Sequence, residues 1–147
     1  MQTIVRLVTL ILLSLAAPAA LAQNKVPSER ALEALVKSSL LTFNDANVTG
    51  IYTVLHAKLS KPFRDQFPPE RLKQTFQSFA EKGGDIDIIA AVKPTYDPVP
   101  KVDDDGKLIV SGYFPLQPVR VLFDLEFIPS DGEWKLIRIH VLTKDAP

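Results

Sequence analysis

VRVLFDLEFIPSDGEWKLIRIHVL, residues 119–142, is the stretch on which the reading of the fold turns. Val121, Phe123 and Leu125 alternate with Arg120, Asp124 and Glu126, and after a short break Ile137, Ile139 and Val141 alternate with Arg138 and His140. Side chains on a strand point to opposite faces in turn, so this period of two marks half-buried strands over Val119–Ile128 and Glu133–Leu142. Ser130-Asp131-Gly132 between them fits a three-residue hairpin loop with glycine in the left-handed position. That loop pairs Phe123 with Ile139, Leu125 with Ile137, and Asp124 with Arg138. A two-residue turn shifts the pairing by one and opposes apolar to charged positions, so the pleat selects the three-residue loop.

Upstream, Lys107–Phe114 reads as a further strand, entered through a turn at Asp103-Asp104-Asp105-Gly106 and left through a corner bracketed by Pro115 and Pro118. Ile86–Val92 reads as the first strand, continuing past Pro94 as an irregular edge because Pro94, Pro98 and Pro100 cannot donate to a ladder. Before Gly84 the period is 3.6. Ser28 is a good N-cap for a long helix over Glu29 to about Asn44, in which Leu32, Leu35, Val36, Ser39, Leu40 and Phe43 share a face. Asn44-Asp45-Ala46-Asn47 breaks that pattern, and Asn47 or Thr49 is expected to cap a second helix with Ile51, Val54, Leu55 and Leu59 as its buried stripe. Ser60-Lys61-Pro62-Phe63 ends this helix. A third helix runs from about Pro69 to Lys82 with Leu72, Phe76, Phe79 and Ala80 on its apolar face, closed by Gly83-Gly84. Three helices followed by a run of strands imply a segregated α+β domain in which a strongly curved antiparallel sheet wraps the first helix.

The N-terminal end carries a different signal. One early cation, Arg6, an apolar run from Leu7 to Leu15, and the small-residue exit Ala20-Leu21-Ala22 have the order of a cleavable secretory signal over residues 1–22. A membrane span needs about 20 predominantly apolar residues, more than this stretch offers before Pro18 interrupts it. The expected organisation is therefore a signal peptide at 1–22, a flexible lead at 23–28, one domain at 29–143 and a tail at 144–147. The expected compartment is the periplasm, in a Gram-negative host, or the exterior. The chain holds 17 Lys and Arg against 17 Asp and Glu, with no basic patch to track a row of phosphates, which argues against nucleic acid as a partner. It has no cysteine, so disulfides cannot staple it.

The long first helix, the run Gly50-Ile51-Tyr52 … Leu59-Ser60 … Phe63-Arg64, the Pro69-Glu70-Arg71-Leu72 opening and the final Asp131-Gly132-Glu133-Trp134-Lys135-Leu136 hairpin together resemble the nuclear-transport-factor-2-like superfamily, also called SnoaL-like or cystatin-like. The resemblance spans about Glu29 to Leu142, and its most specific piece is the D-G-x-W-K-L ending. It implies a cone: a bent sheet closed on one side by three helices, with a pocket at the open end. The superfamily includes isomerases, dehydratases, cyclases, secretion-system subunits and exported proteins of unknown role. A fold so versatile does not name a function.

No nucleophile elbow, phosphate loop or dinucleotide fingerprint is present, and no cofactor is implied. Two histidines without cysteine argue against a zinc site, and the Asp103–Asp105 run lacks the alternating ligands of a calcium loop. The weak catalytic candidates are His56, near the edge of the second helix's buried stripe, and Asp97, in the proline-rich edge. The aromatic-rich interior needs inward polar groups to become a ligand pocket, and Tyr52, Tyr96 and Tyr113 are the candidates. The leading expectation is a non-enzymatic exported protein that binds a small apolar ligand or a protein partner through the cone or the sheet, with homodimerisation through the sheet's outer face as a further possibility. Its competitor is a small acid–base isomerase or dehydratase using His56 and an inward carboxylate.

Overall fold

Ser28 accepts a hydrogen bond from the Ala31 amide and so starts helix α1, Glu29–Thr49, as the sequence predicts. This computed structural model describes residues 24–82 and 84–147; the expected signal peptide lies outside them. Downstream follow α2 (Thr53–Lys58), α3 (Lys61–Gln66), α4 (Pro69–Lys82), a 3-10 helix (Asp87–Ala91) and strands β1 (Thr95–Tyr96), β2 (Lys101–Val102), β3 (Leu108–Phe114), β4 (Val119–Ser130) and β5 (Glu133–Asp145). The class is α+β, with the helices N-terminal to an open antiparallel sheet ordered β1-β3-β4-β5, and with β2 paired to the same edge of β3 as β1.

Helix α1 does not stop at Asn44 but runs on to Gly50, whose left-handed φ of 72° closes it and whose N–H donates to Ala46 O at 2.8 Å. The polar run is carried inside the helix because its side chains find tertiary partners in place of the local turn bonds they otherwise favour. Buried Asn44 donates to Asp85 Oδ1 (2.6 Å) and accepts from the Ile86 amide (3.0 Å). Asn47 donates to Phe43 O and accepts from the Tyr52 hydroxyl. Neither Asn47 nor Thr49 caps α2, whose N-cap position is Tyr52 without a side-chain bond. Of the expected stripe only Leu55 and Leu59 are buried; Ile51 and Val54 face solvent, 63% and 60% exposed. The Ser60-Lys61-Pro62-Phe63 stretch ends α2 and at once begins α3, an unanticipated helix that tolerates Pro62 because first-turn N–H groups have no intrahelical acceptor.

The expected strand Ile86–Val92 is instead the 3-10 helix. Ile86 and Ile89 are buried and Ile88 is exposed, a spacing of three in place of two. The segment has no ladder to join, because β1 and β2 already occupy the free edge of β3, and the Ile86 amide is spent on Asn44. Along that edge, Gly112 pairs with Tyr96 and leaves no room for a side chain: a Cβ there collides with the Thr95 carbonyl.

The β4–β5 hairpin departs from the expected register in two places. Its turn is the two-residue Asp131-Gly132, both left-handed (φ 54° and 79°), with Ser130 opposite Glu133. A register shift between Glu126 and Phe127 then leaves Ile137 without a partner, a β-bulge. Phe123 therefore faces Val141, Leu125 faces Ile139, Asp124 faces His140 and Arg138 faces Glu126. The shorter turn moves the register by one residue and the bulge by one more. The net slip of two preserves parity, so every apolar side chain beyond the bulge keeps its expected face.

One core results. Leu32, Val36, Leu40 and Phe43 of α1 join Leu108, Val110 and Phe114 of β3, Val121, Phe123, Leu125 and Phe127 of β4, and Leu136 and Val141 of β5 in a single buried cluster. Helix α4 closes the side, with the Phe76 and Phe79 rings each 5.0 Å from Phe43. Gly112→Ala must push β1 off β3. We expect a loss of about 1–3 kcal/mol in chemical denaturation, as for other overpacked sites, together with faster exchange of the Asp97 amide, which donates to Ser111 O. Unchanged stability and protection overturn this account.

Candidate functional site

Beside its buried stripe, α1 carries a second row. Ala31, Leu35, Ser38, Ser39 and Thr42 follow one another at spacings of three, four or one, and all line a cleft of about 660 Å3. Leu55, Ala57 and Lys58 of α2 form the facing wall, and Phe127 with Glu133, Trp134, Lys135 and Leu136 of the hairpin forms the floor and far end. Its size lies within the range of small-molecule sites. The α2 wall is held by backbone: Leu59 bridges Leu136 in parallel, and the Ser60 amide donates to Leu136 O at 2.9 Å. Arg64 ties α3 to the same junction, donating to Leu59 O and lying 3.6 Å from Asp131.

The hydroxyls of the α1 wall are committed. Ser38 and Ser39 both donate to Leu35 O, and Thr42 donates to Ser38 O at 2.8 Å. Thr42 Oγ1 also accepts from Lys58 Nζ at 3.0 Å. Lys135 is engaged with Asp131 at 3.0 Å, and this hydrogen bond and charge hold the Asp131 carboxyl below its ordinary range. Among the described residues no carboxylate lies within salt-bridge distance of Lys58. Nor do three His, Asp or Glu side chains among them come together to hold a metal ion.

The residues singled out from the sequence lie elsewhere. His56 is half-buried on α2 with Nε2 3.2 Å from Arg64 O, and it lines none of the cavities described here. Asp97 is exposed in the arch between β1 and β2, beyond the sheet edge opposite the one that α2 adjoins, so the two do not converge. Tyr52 is buried, donates to Asn47 Oδ1 at 2.7 Å and lines a separate cavity of about 330 Å3 with Glu70, Lys73 and Gln77 of α4; burial pushes its phenol up. Tyr113 stands on the outer sheet face with the Arg120 guanidinium 4.7 Å over its ring. Tyr96 packs edge-on against Phe123, and its sealed hydroxyl has no partner among the described residues. The three tyrosines thus occupy three separate environments.

Of the lining, the sequence places Leu35 and Ser39 on α1's apolar face and Leu55 in the second helix's stripe, without gathering them into a cleft. The signal that marks it is the row of small and hydroxyl residues directly beside the Leu32-Val36-Leu40-Phe43 stripe. Compared with known proteins, the chain matches no family model, no curated protein and no solved structure.

Tyr96 provides a test of this packing. Burial first, then the nearby Glu33 and Glu29 carboxylates, push its phenol up to about 12. The folded state therefore holds this proton more tightly than the unfolded chain, whose tyrosines titrate near about 10. Below about pH 10 both states keep the proton and stability is undiminished; it is lost as pH rises from there through about 12. Tyr96→Phe should flatten that alkaline decline in denaturation midpoints measured from pH 8 to 12. At neutral pH it should be neutral or mildly stabilising, since the deleted hydroxyl makes no bond. An alkaline limb as steep in the variant as in the parent refutes the assignment.

Proposed function

We propose that this chain is an exported binding protein of the nuclear-transport-factor-2-like kind, which holds a small, largely apolar molecule in the cleft between α1, α2 and the β4–β5 hairpin. Supporting the family reading are the long first helix, the further helices before the sheet, and the Asp131-Gly132-Glu133-Trp134-Lys135-Leu136 ending within a β-hairpin. On this reading the open sheet curves around α1 as a cone, residues 1–22 are removed on export, and the protein works in the periplasm or outside the cell.

The observation that carries the reading is the cleft's chemistry. Leu35, Leu55, Phe127, Trp134 and Leu136 supply apolar and aromatic surface, while the serine and threonine hydroxyls are turned to their own helix. Such a lining favours burial of an apolar body and offers few competing polar demands. The acid–base enzyme reading gains nothing from the geometry, because His56 lies outside the cleft and meets a backbone carbonyl rather than a carboxylate.

The chain's single tryptophan, Trp134, lines the cleft and is a built-in reporter. Titration with decan-1-ol should shift Trp134 emission saturably, with Kd on the order of 10 μM. Leu35→Trp, which fills the cleft, should weaken binding of the neutral probe Nile red at least about tenfold. Emission that does not respond, or Nile red bound equally by parent and variant, overturns the proposal.

A further inference from the structure

We infer that the molecule held in the cleft is an apolar monocarboxylate whose head group sits on the Lys58 ammonium; this rests on the binding reading above and specifies its ligand. Lys58 is the one cation of the lining without a carboxylate within salt-bridge distance among the described residues, since Lys135 is engaged by Asp131 at 3.0 Å. An ammonium carries three N–H donors. One is directed to Thr42 Oγ1 at 3.0 Å, which aims Nζ at the α1 wall and leaves the others to a ligand. Thr42 is itself buried, so this anchor is fixed in the wall rather than adrift in solvent.

Of the other polar groups of the lining, Glu133 is itself a carboxylate and offers an anion nothing. The hydroxyl protons of Ser38, Ser39 and Thr42 are spent on carbonyls of α1, which leaves Lys58 as the charged donor to greet a head group. A single unpaired positive charge matches a single carboxylate, with charge-assisted hydrogen bonds, better than a doubly charged phosphate. Beyond that point Leu35, Leu55 and Trp134 offer apolar surface for the rest of the molecule. A neutral alcohol of equal chain length gains the same apolar burial but lacks the charge.

The test compares decanoate with decan-1-ol on the purified protein at pH 7.5, read by Trp134 emission and by calorimetry below the aggregation concentration of each. Decanoate should bind about tenfold more tightly than the alcohol, an advantage that shrinks with added salt. Lys58→Met should bring the two affinities within about twofold by weakening decanoate, and Lys58→Arg should keep the preference. Thermal melting establishes that the variants fold; Lys58 is largely exposed. Equal binding of acid and alcohol by the parent, or a preference that survives Lys58→Met, overturns the carboxylate inference while the apolar cleft stands. Failure of both probes to bind overturns the cleft reading along with it.

Discussion

Everything in this molecule depends on the burial of one oily stripe against one oily face. Helix α1 has Leu32, Val36, Leu40 and Phe43 on a single side, and the β3–β4–β5 sheet has a single apolar face, so each leaves the other's hydrophobic surface in water unless they meet. Phe43, Phe114, Phe123 and Phe127 are fully buried there, and each such side chain contributes about 1.5–3 kcal/mol relative to exposure. With no cysteine to crosslink it, the chain has this packing in place of disulfides. The remaining elements are arranged around that contact: α4 adds Phe76 and Phe79 against Phe43, and the 3-10 helix adds Ile86 and Ile89 while Asn44 pins its leading loop.

The same contact explains which parts of the fold were legible in the sequence. Positions such as Leu125, Phe123, Val36 and Leu40 sit where a periodic pattern meets a single buried face, so period alone assigns them. The hairpin shows how far this goes. Face is set by parity, and parity survived both the shorter Asp131-Gly132 turn and the bulge at Ile137, whereas the pairing partners did not. Elements decided by tertiary partners were read wrongly. The Asn44–Asn47 run looks like a helix stop until Asp85 and Tyr52 come round to satisfy it, and Ile86–Val92 has strand-forming residues but no free edge to join. The short α2 has too few turns for a stripe to declare itself, so Val54 faces solvent, and Ile51 lies outside the helix altogether.

The candidate site was less legible for a related reason. A cleft of this kind is written in no motif: Ser38 and Thr42 of α1, Lys58 of α2 and Trp134 of β5 are ordinary residues drawn from three separate segments of the chain. The titratable and aromatic residues that attract attention in a sequence, His56, Asp97 and the three tyrosines, serve other ends here. Tyr52 locks the α1 terminus, Tyr113 carries a cation on the outer face, and Tyr96 seals the region beneath β1. Chemical conspicuousness in the sequence and position at a cavity are independent properties in this fold.

A short strap of backbone ties the α2 wall of the cleft to its hairpin. Leu59 and Ser60 attach to Leu136, the residue that immediately precedes the bulged Ile137. A bulge raises local twist and bends its strand. Leu136 therefore lies where the turn end of β5 swings relative to the rest of the sheet, and the strap makes α2 follow that end of the hairpin. Lys58 precedes the strap by one residue and Lys135 precedes Leu136 by one, so the same attachment that fixes the wall also fixes both cations of the lining. Lys58 is carried toward Thr42 on α1, while Lys135 is drawn to the turn by Asp131. The pairing irregularity at Ile137 is thus joined, through one bridge, to the position of Lys58, which among the described residues has no carboxylate within salt-bridge distance.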